Sequence, residues 1–147
     1  MIRTVIAERI ALIRAGLVAC ISQERDIEVV AELDRREPVV PTVSSLRPDV
    51  AVIDDDIACQ DGFAVIQALH TITPSCRTLI MASRPHLSDL RKAVAAHAAG
   101  FVLKDTSPEN ISEAIRQVAK GMKALDPGLA FATPGGEVRG VKALAAE

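Results

Sequence analysis

Five short apolar runs, each followed by a stretch of helical period, constrain this 147-residue chain more than any other feature. The runs are Ile2–Ala7, Asp26–Leu33, Asp49–Asp54, Arg77–Ser83 and Phe101–Lys104. The first helical stretch, Arg9–Gln23, carries Ile10, Ile13, Leu17, Cys20 and Ile21 on one face. Pro38 and Pro41 confine the second to Pro41–Leu46, since proline is tolerated only in a first turn. The third and fourth cover Asp61–Ile72 and His86–Gly100, with Gly100 expected as a C-terminal cap. The fifth, Ser107–Gly121, has Ser107 as N-cap, Pro108 in the first turn and Gly121 closing the end.

Connections of this length force parallel pairing, and parallel pairing places helices on both faces of one sheet. The expected fold is α/β, a doubly wound five-stranded parallel sheet over residues 1–121, with a crevice at the carboxyl ends of the strands. Residues 122–147 hold two prolines and four glycines and read as a linker, with a short helix expected at Val141–Ala146.

Composition narrows the function. Aromatic residues make up 2% of the chain, so stacking on nucleic-acid bases is not its business. A net charge of −2 gives no bulk attraction to DNA or anionic lipid, and no apolar stretch is long enough for a membrane span. Three cysteines without metal-binding spacing suit a reducing cytoplasm. Cys59 reads as incidental, and His70, His86 and His97 as surface residues without ligand spacing.

The third run ends in three adjacent carboxylates, Asp54, Asp55 and Asp56. Like charges this close repel and raise one another's pKa, so something must offset them. Side-chain alternation turns Asp55 away from Asp54, into solvent. Glu8 after the first run, Ala82 and Ser83 at the end of the fourth, and Lys104 at the end of the fifth all fall at the same sheet edge. The glycine-rich fingerprints of dinucleotide and P-loop folds are absent, as is a nucleophile elbow. A carboxylate cluster facing a lysine remains.

That arrangement resembles the receiver domain of bacterial response regulators, a flavodoxin-like fold, over Ile2 to Ala130. The resemblance is carried by "IRTVIAE", "RPDVAVID", the "DG" of Asp61–Gly62, "GFVLKD" and "SPENISEAIRQVAKG". The last two, with "DIEVVAEL", are similar to the NarL/FixJ group, whose receivers are joined to a LuxR-type helix-turn-helix. The resemblance implies that Asp54 is the phosphoacceptor for a histidine kinase and that Lys104 pairs with the phosphoryl group. Glu8 matches the first of two acids that hold Mg²⁺, and the backbone carbonyl of Asp56 a further metal ligand. It also implies a cytoplasmic signalling input rather than an enzyme, acting as a homodimer. DNA would be bound only through a second domain not found in these residues, and no membrane is involved.

Four features depart from the pattern. The second acid is Arg9; the hydroxyl ending the fourth strand is Ala82, followed by Ser83; the switch aromatic is Phe101, without a hydroxyl; and Ile57–Ala58 replaces Met-Pro. Ser83 reaches the site only if the strand end shifts by one residue, which would turn its side chain to the other face. A guanidinium beside the acids repels a divalent cation. Two unit charges about 4 Å apart at an effective dielectric near 20 interact by roughly 4 kcal/mol, and a divalent ion feels about twice that. The expected reading is therefore an atypical receiver in which Arg9, with Lys104, balances the acids and Mg²⁺ binds weakly or not at all. Asp56 either pairs with Arg9 or faces water. The rivals are a conventional receiver phosphorylated at Asp54, and a module that binds a ligand or protein in the crevice.

Overall fold

A computed structural model describes residues 1–125. The strands are β1 (Ile2–Ala7), β2 (Ile27–Leu33), β3 (Val50–Asp54), β4 (Arg77–Ala82), β5 (Gly100–Leu103) and β6 (Ala124–Leu125). The helices are α1 (Ala11–Ile21), α2 (Val39–Leu46), α3 (Asp55–Ala58), α4 (Ala64–Ile72), α5 (Leu87–Ala95) and α6 (Pro108–Ala119). All strands pair in parallel in the order β2-β1-β3-β4-β5-β6. The sheet has six strands, not the five expected, because Ala124 and Leu125, part of the expected linker, add a short edge strand to β5. The helix expected at Val141–Ala146 lies outside the described residues.

The period-2 alternation of β3 divides the core. Ala51 and Ile53 pack with residues of α2, α4 and α5, such as Val43, Ile66 and Leu90. Val50 and Val52 face the other way, with Leu17 and Ile21 of α1 and Ile111, Ile115 and Val118 of α6. A strand covered on both faces needs apolar residues throughout, and all five positions of β3 are buried. The connection leaving β1 for β2 and the one leaving β3 for β4 run to opposite faces. The crevice therefore opens between the ends of β1 and β3, the topological switch point.

Gly100 has a different job from the one expected. α5 ends at Ala95, and the left-handed cap residue is His97, at φ 74°. Ala98 donates its N–H to the Ala93 carbonyl and His97 donates to Val94, the Schellman pattern. Gly100 instead opens β5, where a Cβ would come within 2.6 Å of both the Ala124 carbonyl and Leu79 Cδ1. The missing side chain is what lets β6 dock. The cap expected at Gly121 does form, with φ 86° and the same bond pattern from Gly121 and Met122. His70, His86 and His97 are all exposed, and two of them meet. His70 at the end of α4 stacks on His97, with ring centroids 3.9 Å apart.

Candidate functional site

Glu8 follows β1, Asp54 ends β3 and Lys104 follows β5, so three strand ends deliver one lysine and two acids to the crevice. The side chains of Glu8 and Asp54 are fully buried and that of Lys104 is 9% exposed. Lys104 Nζ lies 2.6 Å from Asp54 Oδ1 and 3.1 Å from Glu8 Oε2. Its backbone N–H donates to the Ala82 carbonyl at 2.8 Å, which fixes where the side chain starts. Glu8 Oε1 also accepts from the Ile10 N–H at 3.1 Å, while Arg14 donates to the Glu8 carbonyl at 2.8 Å. Burying two carboxylates is strongly unfavourable unless a cation and hydrogen bonds meet them, and here one ammonium serves both.

The charges follow from these partners. Burial raises the Glu8 carboxyl, helped by the neighbouring Asp54 charge, and the Ile10 N–H and Lys104 only partly offset it. Burial also opposes charge on Asp54, but Lys104 outweighs it and holds that carboxyl below its ordinary value. Burial works against the Lys104 charge as well, yet Asp54 and Glu8 keep its pKa raised.

Asp55 is the residue that strand alternation misplaced. The chain turns into α3 directly after Asp54, whose side chain caps that turn by accepting the Asp56 N–H. Alternation ends there, and Asp55 comes round to hydrogen-bond Asp54 instead of facing solvent alone. Partial burial, that bond and the charges of Asp54 and Asp56 push it up to about 7. Asp54 and Asp55 thus titrate as a pair, and the proton on Asp55 comes off around neutral pH. The Asp-x-Asp spacing, an N-cap with an acid two residues on, was the signal for this turn.

Arg9 lies at the rim rather than in the hollow. Its guanidinium is 3.1 Å from Asp56 Oδ2, with more than half of each side chain exposed. It reaches Asp54 through its backbone N–H at 3.5 Å, so the side-chain cation on Asp54 is Lys104 and not, as expected, Lys104 and Arg9 together. Carboxylate oxygens of Asp54, Asp55 and Asp56 lie within 4.8 Å of one another. The Asp56 carbonyl belongs to the α3 turn, where the Cys59 thiol approaches it at 4.0 Å. Burial, with Asp55 and Asp56, raises that thiol, which keeps it protonated and unreactive.

At the switch positions, Ala82 ends β4 with its methyl buried, and Ser83 follows it, exposed and outside the ladder. No strand-end shift brings Ser83 in, since Ala82 pairs with Leu103 in regular register. Phe101 is 1% exposed and packs in the core on the α5 side.

Fold and site together define a doubly wound α/β receiver-type domain with an acidic pocket and a lysine at its strand ends. The family model "Response regulator receiver domain" matches residues 4–116, and the chain belongs to that family. Its relatives are of the NarL type. Transcriptional regulatory protein NarL of Mycobacterium tuberculosis is 29% identical over 128 residues, 87% of this chain and 59% of that protein. The nitrate/nitrite response regulator protein NarL of Escherichia coli is 30% identical over 118 residues, 80% of this chain and 55% of that protein. The chain thus spans under two thirds of the length of either relative. Among solved structures, the signal receiver domain of NarL from Mycobacterium tuberculosis superposes with a TM-score of 0.77 at 29% identity, covering 82% of this chain and 97% of that one. Receivers bind Mg²⁺ at an acidic pocket, and the Asp54–Asp56 cluster lies at that place.

Proposed function

We propose that this chain is the input domain of a cytoplasmic, DNA-binding transcriptional regulator in which Mg²⁺-assisted phosphorylation of Asp54 is impaired. The observation that carries this reading is Arg9, a cation at the position of the second metal-holding acid, with its fork on Asp56 at 3.1 Å. The donor set does not fit Mg²⁺. Arg9 offers no acceptor, and Glu8 gives Oε1 to the Ile10 N–H while its Oε2, which accepts no hydrogen bond, faces the Lys104 ammonium at 3.1 Å. Asp54 is held by Lys104 at 2.6 Å. The buried methyl of Ala82 supplies no hydroxyl to sense a phosphoryl oxygen.

In this reading Lys104 does the work of the ion, holding Asp54 charged and tying Glu8, and with them the strand ends, together. The domain transmits through protein contacts as a homodimer rather than by catalysis. The sheet, carried to Leu125 by β6, leads through the remaining residues toward a DNA-binding domain. The test is acetyl phosphate with Mg²⁺ on the wild-type chain, followed by intact-mass measurement. No phosphoryl adduct is expected. An adduct of one phosphoryl group, lost in Asp54→Ala, would establish the conventional receiver with its histidine kinase donor instead. A metabolite that raises the melting temperature without Mg²⁺ would favour a ligand-sensing module.

A further inference from the structure

We infer that His70 and His97 form a two-imidazole site for a late first-row transition-metal ion, Zn²⁺, Ni²⁺ or Cu²⁺, which clamps α4 to α5. The chain has three histidines, and the fold brings two of them together from the ends of different helices. Their rings stand 3.9 Å apart and 14° from parallel. Both residues are exposed, and among the described residues neither ring has a hydrogen-bond partner. Ring nitrogens on both sides of the contact are therefore open to a ligand.

The backbone holds both side chains at this spot. His70 lies in the last turn of α4, whose end is tied by the Thr73 N–H to the Leu69 carbonyl at 2.8 Å. His97 takes the left-handed cap after α5 at φ 74°, a place that glycine or asparagine fills with less strain. Ending the helix does not call for an imidazole there. Neutral imidazole suits zinc, nickel and copper, whereas Mg²⁺ and Ca²⁺ take oxygen. Two nitrogens on one tetrahedral zinc, each about 2.0–2.1 Å from it, lie about 3.3 Å apart, a little inside the present ring spacing. Each lone pair lies in its own ring plane, so the stacked rings must splay, each by about half the tetrahedral angle, to converge on one ion. Rotation about χ1 and χ2 turns exposed rings in this way without unwinding either helix. Water completes the coordination. β4 and β5 begin just after these helix ends, so the site lies at the sheet edge opposite Asp54. The inference does not depend on whether Asp54 accepts phosphate.

The test is NMR on the isotope-labelled 147-residue chain, free of any affinity tag, at mildly alkaline pH where free imidazole is neutral. With Cu²⁺ well below one equivalent, the amide signals of residues 69–73 and 95–99 are expected to broaden before those of α3. Zn²⁺ should shift the same signals. His70→Gln and His97→Asn should each raise the Zn²⁺ concentration needed roughly a hundredfold, since a second ligand held beside the first adds about that much. Both variants keep the fold, because glutamine is a good helix former and asparagine accepts a left-handed cap. Broadening confined to the Asp54–Asp56 turn overturns the inference. So does broadening that survives either single substitution undiminished, or none at all.

Discussion

Replacing Arg9 by Asp should turn a poor divalent-cation site into a measurable one. The guanidinium is 3.1 Å from Asp56, and Asp56 shares a cluster whose oxygens lie within 4.8 Å of one another. A divalent charge placed among them at about 6 Å from the guanidinium, at an effective dielectric of about 40, is repelled by about 3 kcal/mol. Screening with a Debye length of about 8 Å at physiological salt reduces this to roughly 1.3 kcal/mol, about tenfold in affinity. Arg9→Ala removes that repulsion and frees Asp56. Arg9→Asp reverses its sign and adds a carboxylate, so about a hundredfold gain is expected. Isothermal titration with Mg²⁺ on wild type, Arg9→Ala and Arg9→Asp reads the series, and Mn²⁺ line broadening of the α3 amides locates the ion. The gain should shrink at high salt. Were both variants to bind Mg²⁺ no better than wild type, Arg9 would not be what keeps the metal out.

Three further outcomes follow from the same geometry. Lys104→Met leaves Glu8 and Asp54 buried without their cation and should cost about 3 kcal/mol in urea unfolding at neutral pH; the loss should shrink in acid, where the carboxyls neutralise by protonation, and an equal loss at both pH values would contradict this. The Asp55 carboxyl is raised to about 7, so its contribution declines as pH rises from the ordinary carboxylate range through that value. Asp55→Asn should therefore raise the melting temperature in mildly alkaline buffer and change it little near pH 4, the ordinary carboxylate region. Gly100→Val drives a side chain into the Ala124 carbonyl and Leu79, so about 1–3 kcal/mol of stability should go, and hydrogen exchange should show the Ala124 amide unprotected while β1 and β3 stay protected.

The strands were readable because burial on both faces demands runs such as Val50–Ile53, bounded by polar residues at strand length; the equally apolar Leu17–Ile21 is told apart by its place in a longer stretch of helical period. The site's lysine and acids were readable because strand ends share one edge whatever the side-chain details. Other features depended on tertiary neighbours. Gly100 looks like a cap from its position after a helical stretch, and only the approach of Ala124 gives it a place in the sheet. Asp55 was misplaced because a period-2 rule was carried one residue past the point where Asp54 starts a helical turn. Arg9 was expected over Asp54, but a long side chain leaving an exposed turn settles on the nearest exposed acid, Asp56, where its solvation is kept.

The two-residue β6 has a consequence for handling the protein at high concentration. Without it, the outer margin of β5 would offer free amides and carbonyls to any extended peptide that drifted by. β6 occupies the Gly100–Phe101 half of that margin. A notch one methyl deep, at Gly100, is thus part of what keeps neighbouring molecules from zippering together along this side.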